Sequence, residues 1–167
     1  AVIRACTDTE RSPMHMHIEE VAEGSYLYVD CSAPMESAAV GKAMGEGFGK
    51  VVDWMTRHGI PPSGQPLCVH LEGTPGRLAF RAGIPVAADD LRGAGGALKA
   101  GRTPSGRVAV MTHEGPYAGL GAAWELLAEK IAHAGERPSG RGWEIYVDDP
   151  GEVPEARLRT ELRMALA

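Results

Sequence analysis

The chain has 167 residues, of which 44% are hydrophobic and 23% are charged, so it can bury the core of one ordinary globular domain. Its formal net charge is -5 and no block of lysine and arginine is present, which argues against direct binding of nucleic acid. No apolar run reaches membrane length and no signal peptide is recognisable, so we expect no membrane partner.

The first half of the chain predicts the order strand, strand, helix, strand, strand. Residues 1–13 are polar and unpatterned, and we expect a mobile arm there. Apolar residues between Pro34 and Gly59 recur every three or four positions, which is typical of a helix. Alternation and turn residues predict strands over 14–21, 25–31, 65–71 and 77–86.

The second half repeats this order after a linker over residues 87–96 that is rich in alanine, glycine and aspartate. A strand pair is predicted around Pro104-Ser105-Gly106, and a helix follows Gly115-Pro116 and ends at Gly135. The remaining predicted strands are 143–148 and 157–165.

The two halves align on their helix ends and on the turns that follow. Gly59-Ile60-Pro61-Pro62-Ser63-Gly64 matches Gly135-Glu136-Arg137-Pro138-Ser139-Gly140. With the shared element order, this match predicts a duplication with repeats over 14–88 and 95–167. We therefore predict one α+β domain over 14–167, in which two modules related by a pseudo-two-fold axis form an antiparallel sheet. Helices would cover one face, and a ligand groove would lie on the other.

Several segments of the second half carry a family resemblance. These are His113-Glu114-Gly115-Pro116-Tyr117, then Trp143-Glu144-Ile145-Tyr146-Val147-Asp148-Asp149-Pro150, then Leu158-Arg159-Thr160-Glu161-Leu162. Together with Arg81-Ala82-Gly83-Ile84-Pro85-Val86 of the first half, they resemble the GyrI-like small-molecule-binding domains. The resemblance covers nearly all of residues 14–167.

The resemblance implies two β-α-β-β modules with a central pocket and a characteristic buried glutamate at Glu144. Members include effector-binding domains of multidrug-responsive regulators and stand-alone proteins that sequester drugs. Some stand-alone members hydrolyse the cyclopropane of cyclopropanoid cyclopyrroloindole genotoxins, with a glutamate and a tyrosine in an aromatic pocket. The resemblance implies no cofactor.

Glu144 and Tyr146 lie two residues apart on a predicted strand, so their side chains share a face. We expect that face to be the groove, with Trp143 and Ile145 directed toward the helix. A carboxylate in an aromatic groove loses solvation, so we expect a raised pKa for Glu144. From the alternation alone, a solvated Glu144 is the commoner outcome, and the family resemblance favours a functional one.

The repeat places Cys68 at the position equivalent to Glu144, and His70 at the position equivalent to Tyr146. Both side chains are therefore expected in the same groove. One hypothesis makes Cys68 and His70 a nucleophile and base, but no third group that would orient the base is visible. A buried cysteine that fills space, beside a histidine that forms a polar wall, is the simpler interpretation.

Other candidates depend on tertiary packing that the sequence does not specify. Tyr117 either reaches the groove with its hydroxyl or belongs to the apolar stripe of the second helix. Tyr26 and Tyr28 share one strand face, and we assign Tyr28 to the groove wall. Trp54 is either a lid over the groove or a partly exposed surface aromatic. His15 and His17 lack a third ligand at suitable spacing, so no metal site is predicted. Gly41, Gly45 and Gly49 form a smooth helix face that another backbone could approach closely.

Three functions compete at this level. The first is binding of planar, hydrophobic and often cationic compounds beside Glu144. The second is hydrolysis of a strained electrophile, in which Glu144 activates water and Tyr146 or Tyr117 donates a proton. The third is a protein-interaction domain, which would expose an apolar patch. The chain has three irregularly spaced cysteines: Cys6, Cys31 and Cys68. Their odd number and spacing favour reduced thiols and a cytoplasmic location. Nothing in the sequence establishes Ala1 as the biological start.

Overall fold

The computed structural model describes residues 14–167, and the arm predicted over 1–13 lies outside the described residues. Two long helices are α1, Ser37–His58, and α2, Leu120–His133. Eight strands accompany them: β1 His17–Val21, β2 Gly24–Pro34, β3 Leu67–Leu71, β4 Arg77–Pro85, β5 Lys99–Thr103, β6 Gly106–Glu114, β7 Pro138–Tyr146 and β8 Arg159–Leu166. No helix within residues 14–167 is both long enough and apolar enough to cross a membrane.

The predicted elements are all present, with shifted ends. Helix α1 begins at Ser37 rather than beside Pro34, because β2 continues to Pro34 and pairs there with Arg77 of β4. It ends as predicted at Gly59, whose φ of 65° allows its N–H to reach the carbonyl oxygens of Met55 and Thr56. The linker contains a short 3-10 helix over Ala88–Gly93.

All eight strands form one antiparallel sheet in the order β1-β6-β8-β7-β3-β4-β2-β5. The equivalent strands of the two halves are β1 and β5, β2 and β6, β3 and β7, and β4 and β8. If each strand is replaced by its equivalent, the same order is read from the opposite edge of the sheet. A pseudo-two-fold axis therefore passes between β3 and β7, which are the central pair. The predicted α+β class, the antiparallel sheet and the duplicated element order are confirmed.

The first strand of each half pairs with the other half. Strand β1 pairs with β6, and β5 pairs with β2. The predicted pairing of the segments on either side of Pro104-Ser105-Gly106 is therefore wrong, although both segments are strands. Each half therefore contributes its first strand to the outer edge of the other half's part of the sheet.

This exchange forces the sheet to curl. Only Ala22 and Glu23 connect β1 to β2, yet six strand spacings separate these strands in the sheet order, about 29 Å in a flat sheet. Two intervening residues span at most about 11 Å between Val21 and Gly24. The equally short Pro104-Ser105 connection imposes the same limit on β5 and β6. The two edges of the sheet therefore approach each other at this end.

Curling creates an inner face and an outer face with separate cores. On the inner face, buried side chains from the strands pack against one another and form one core: Tyr26, Tyr28, Leu67, Val69, Val108, Val110, Trp143 and Ala165. Both helices pack on the outer face. Val51 and Met55 of α1 lie against β2 and β4, and Leu127 and Ile131 of α2 lie against β6 and β8.

The glycines of α1 behave differently from the sequence-based expectation. A Cβ built on Gly41, Gly45 or Gly49 meets nothing within 4 Å, so no backbone approaches the predicted smooth face within the described structure. Gly47 makes the close approach instead. A Cβ there would lie 2.7 Å from Cys31 Sγ and 2.9 Å from the Ala82 Cβ, because α1 packs tightly on β2 and β4 at this point.

Candidate functional site

The candidate site lies on the pseudo-two-fold axis, where the two central strands meet. Cys68 of β3 and Glu144 of β7 are direct cross-strand partners. Their side chains point to the outer face, between the areas that α1 and α2 cover. Cys68 is 1% exposed and Glu144 is 3% exposed. A polar group therefore occupies the centre of the molecule, where only specific partners can compensate for lost water.

Three side chains hydrogen-bond to the Glu144 carboxylate. The indole Nε1 of Trp124 donates to Oε1 at 2.8 Å, and His70 Nε2 lies 2.9 Å from the same oxygen. The Tyr146 hydroxyl donates to Oε2 at 2.6 Å. Because an ionised carboxylate only accepts, we assign the hydrogen of the His70 contact to Nε2. Both oxygens of the buried carboxylate are thus satisfied.

The hydrogen bonds decide the ionisation of Glu144. Burial is the largest single influence and by itself would raise the pKa. The hydrogen bond and positive charge of His70, with the bonds from Tyr146 and Trp124, outweigh it and hold the pKa of Glu144 below the ordinary value of 4.5. The sequence-based expectation of a raised pKa is therefore wrong, because it counted the loss of water and not the three donors.

The pKa values of the neighbouring thiol and phenol, those of Cys68 and Tyr146, shift in the opposite direction from that of Glu144. Burial, and then the nearby negative charge of Glu144, raises the pKa of Cys68 well above its ordinary value. Burial, followed by the charges of Cys68 and Glu144, likewise raises the pKa of Tyr146 well above the tyrosine range. At neutral pH the site holds one carboxylate beside a thiol and a phenol that keep their protons.

Aromatic rings surround this carboxylate. The Tyr146 ring packs edge-on against Phe48 of α1, with centroids 6.0 Å apart, and against Tyr117 at 5.6 Å. The His70 ring meets Trp124 of α2 at 5.3 Å. Burial, followed by the charges of Asp149, Asp148 and Glu144, raises the pKa of Tyr117. The His70 side chain is 39% exposed, so the cluster reaches solvent there.

The site lies on the opposite face of the sheet from the one that the sequence predicted. Glu144 and Tyr146 do share a face, as predicted, but it is the outer face that carries the helices. Trp143 and Ile145 point to the inner face and join its core. The assignment failed because both faces of β7 are buried, so alternation gives no indication of which one meets the helices.

Two further candidates lie away from Glu144. Tyr28 belongs to the inner face, where the Arg81 guanidinium lies 4.4 Å from its ring centroid. Trp54 is not a lid over the site: its Nε1 donates to the Gly93 carbonyl at 2.8 Å, which ties the linker to α1. The structure thus brings five of the seven predicted residues together, namely Glu144, Tyr146, Tyr117, His70 and Cys68.

The cysteine and histidine hypotheses have different outcomes. Cys68 Sγ and a ring nitrogen of His70 lie within 4.8 Å of each other, and Glu144 supplies a third group beside the base. Since burial keeps the thiol of Cys68 protonated, the arrangement does not favour a nucleophile. His17 pairs with Glu19 at 2.6 Å. Within residues 14–167, His15 and His17 belong to no group of three metal-ligating side chains.

Trp124 is the site residue that the sequence analysis missed. Its spacing of four residues from Leu120 and three from Leu127 predicts a core position on the second helix, and it does pack there beside α2 core residues. A signal was nevertheless present, because a tryptophan on a buried stripe carries an N–H that needs an acceptor. Glu144, a predicted buried carboxylate, is that acceptor.

The inner face holds two small cavities in place of the predicted groove. One, of about 190 Å³, is bounded by both edge strands through Val21 and Thr103 and by Trp143. The other, of about 170 Å³, lies between Tyr26, Trp143, Arg102 and Arg141. Neither cavity is lined by Glu144, which points to the other side of the sheet.

Comparison with known proteins agrees with this architecture. The family model described as the GyrI-like small molecule binding domain matches residues 14–167. Among solved structures, the EcmrR C-terminal domain aligns with a TM-score of 0.78 at 17% identity, over 92% of this chain and 97% of that one. No curated protein gives a significant match.

Two more solved structures share the fold. A hydrolase from Listeria innocua aligns with a TM-score of 0.64 at 16% identity, covering 93% of each chain. SAV2435 bound to tetraphenylphosphonium aligns with a TM-score of 0.60 at 10% identity, over 92% of this chain and 94% of that one. At these identities the likeness is one of fold.

Proposed function

Because the chain belongs to the family of GyrI-like small-molecule-binding domains, we propose that it binds planar, hydrophobic, cationic compounds beside Glu144. The observation that carries the proposal is a carboxylate, 3% exposed and hydrogen-bonded on both oxygens, that sits among aromatic rings. A hydrophobic cation would supply the positive charge that a buried carboxylate needs. The rings would add cation–π contact and apolar burial.

The entry route follows from the exposure of the cluster. Among the three partners of Glu144, His70 has 39% of its side chain exposed and Trp124 is partly exposed, whereas the Tyr146 side chain is buried. A ligand that enters here would displace His70 from Oε1 and keep the bonds from Trp124 and Tyr146. The aromatic walls would then be Tyr117, Phe48 and Trp124.

Tetraphenylphosphonium is a suitable probe of the charge and of the aromatic contacts, since it is a permanent cation that carries four flat aromatic rings around a tetrahedral phosphorus and is the compound named for SAV2435. We expect wild-type protein to bind it in isothermal titration. Glu144→Gln should bind at least about tenfold more weakly, because a desolvated charge pair is worth more than about 1.4 kcal/mol. Neutral triphenylphosphine oxide should bind to wild type more weakly than the cation does. It should bind to wild type and to Glu144→Gln with equal affinity.

Glu161→Gln is the matched control. Glu161 lies on the adjacent strand β8, is partly exposed and pairs with Arg163, so the same substitution removes a carboxylate that does not face the site. Its affinity should equal that of wild type. Equal binding of the cation by wild type and Glu144→Gln would contradict the proposal, as would an equal loss in both variants.

Hydrolysis of a strained electrophile stays the second candidate. Glu144 and Tyr146 are the residues that it needs, and their 2.6 Å contact favours it. The same contact occupies the Tyr146 hydroxyl, so Tyr117 is the freer proton donor toward a substrate. Incubation with a cyclopropanoid alkylator, followed by mass spectrometry, would show hydrolysed product from wild type and none from Glu144→Gln.

We also propose that this protein is cytoplasmic and does not contact nucleic acid directly. Support comes from the free thiols of Cys31 and Cys68 and from the acidic net charge of -5. The protein-interaction alternative stays a prediction.

A further inference from the structure

Three metal-ligating side chains of different chemistry converge at the centre of the sheet. The Cys68 thiol, a ring nitrogen of His70 and a Glu144 carboxylate oxygen all lie within 4.8 Å of one another. We propose that these three side chains form a binding site for a thiophilic divalent cation such as Zn²⁺. The sequence-based prediction of no metal site concerned His15 and His17, although the repeat places Cys68, His70 and Glu144 in one groove.

The ligand atoms already lie within 4.8 Å of one another, so movements of up to about 1 Å would let them bind the ion. Tetrahedral Zn²⁺ has bonds of about 2.3 Å to sulfur and about 2.0–2.2 Å to nitrogen and oxygen, which places its ligand atoms roughly 3.3–3.7 Å apart. His70 Nε2 and Glu144 Oε1, now 2.9 Å apart, would separate by about half an ångström. The ion would replace the hydrogen that these two atoms share.

The backbone holds the three ligands in place. Cys68 and Glu144 are cross-strand partners, and His70 is two residues from Cys68 on the same face of β3. Trp124 and Tyr146 hydrogen-bond to the Glu144 carboxylate and fix its orientation. Such outer hydrogen bonds to a ligating group are typical of metal sites and raise their affinity.

The charges balance in the occupied site. Cys68 would give up its proton to solvent and bind as a thiolate, His70 would bind as a neutral imidazole, and Glu144 would bind as a carboxylate. Two negative ligands and one divalent cation sum to zero, which suits a buried location. A sulfur, nitrogen and oxygen ligand set favours Zn²⁺ over Mg²⁺ or Ca²⁺, which prefer oxygen alone. The exposed side of His70 leaves room for a fourth, exchangeable ligand.

Co²⁺ titration of chelator-treated full-length protein tests the site directly, because thiolate coordination to Co²⁺ gives a near-ultraviolet charge-transfer band. We expect that band in wild type at one ion per chain, with its loss on addition of one equivalent of Zn²⁺. Cys68→Ser should abolish the band. Cys31→Ser is the matched control, since Cys31 is a free cysteine outside the three-ligand group, and it should keep the band.

His70→Ala provides a test that keeps both the buried thiol and the buried carboxylate in the chain. His70 is partly exposed, and its removal should weaken Co²⁺ binding at least about tenfold while the circular-dichroism spectrum stays that of wild type. Absence of the charge-transfer band in wild type would overturn the proposal. Persistence of the band in Cys68→Ser, or unchanged affinity in His70→Ala, would overturn it as well.

Discussion

The hydroxyl of Tyr26 lies inside the inner-face core, where Arg81 Nη1 donates a hydrogen bond to it at 3.0 Å. Tyr26 is 1% exposed. Burial raises the pKa of this phenol above the ordinary value of 10.0, and the bond and charge of Arg81 oppose that effect only in part. The folded protein therefore holds the Tyr26 proton more tightly than the unfolded chain does.

This difference predicts a pH-dependent effect of Tyr26→Phe. At pH 7 the variant should be less stable by about 1–2 kcal/mol, because it loses the hydrogen bond from Arg81. Above pH 10 the unfolded wild-type chain releases the Tyr26 proton first, so the wild type loses the contribution of Tyr26 to stability there, whereas the variant has no such contribution to lose. Urea unfolding at pH 7, 9 and 10.5 should show the difference between the proteins shrinking as pH rises. A constant difference would contradict the argument.

At the same scale, the sequence identified most of the residues around Glu144 but not their arrangement. The two-residue spacing correctly placed Glu144 with Tyr146, because a strand alternates its faces whatever it packs against. The choice of face and the direction of the Glu144 pKa both depended on Trp124 and His70. Their contacts with Glu144 are set by how α2 and β3 pack, which local spacing does not specify.

At the scale of single elements, two glycines of α1 give opposite predictions. A Cβ on Gly45 meets nothing within 4 Å, so Gly45→Ala should stabilise the protein by up to about 1 kcal/mol through helix propensity. A Cβ on Gly47 would lie 2.7 Å from Cys31 Sγ, so Gly47→Ala should destabilise it by about 1–2 kcal/mol. Chemical denaturation of both variants checks this pair. Effects of the same sign would mean that packing against β2 does not decide the outcome.

Helices and strands were predictable as elements, whereas strand partners were not. The stripe between Pro34 and Gly59 predicted α1 because helical periodicity is a local property. Alternation predicted β5 and β6 equally well, but it contains no information on which strand lies alongside. A short turn at Pro104-Ser105 favoured a hairpin, and the structure instead uses it to carry the chain between the converging edges of the sheet.

At the scale of the whole molecule, the exchanged edge strands predict that neither half folds alone. A fragment of residues 14–88 would retain β1 without its partner β6 and would lack β5, which covers β2. We expect the fragments 14–88 and 95–167 each to show no cooperative thermal transition by circular dichroism. An equimolar mixture should recover one, since all pairing partners are then present. Cooperative melting of either fragment by itself would contradict this.

The position of Cys68 opposite Glu144 also limits how such a protein can arise. A residue on the two-fold axis of a symmetric homodimer would face its own copy. A glutamate there would set two buried carboxylates about 5 Å apart at their Cβ atoms, and they could not both stay ionised. Fusion of the two modules into one chain removes that constraint, because the second copy can become a cysteine. A central carboxylate that keeps its charge without sharing a proton with its own copy is thus available once the two modules have diverged.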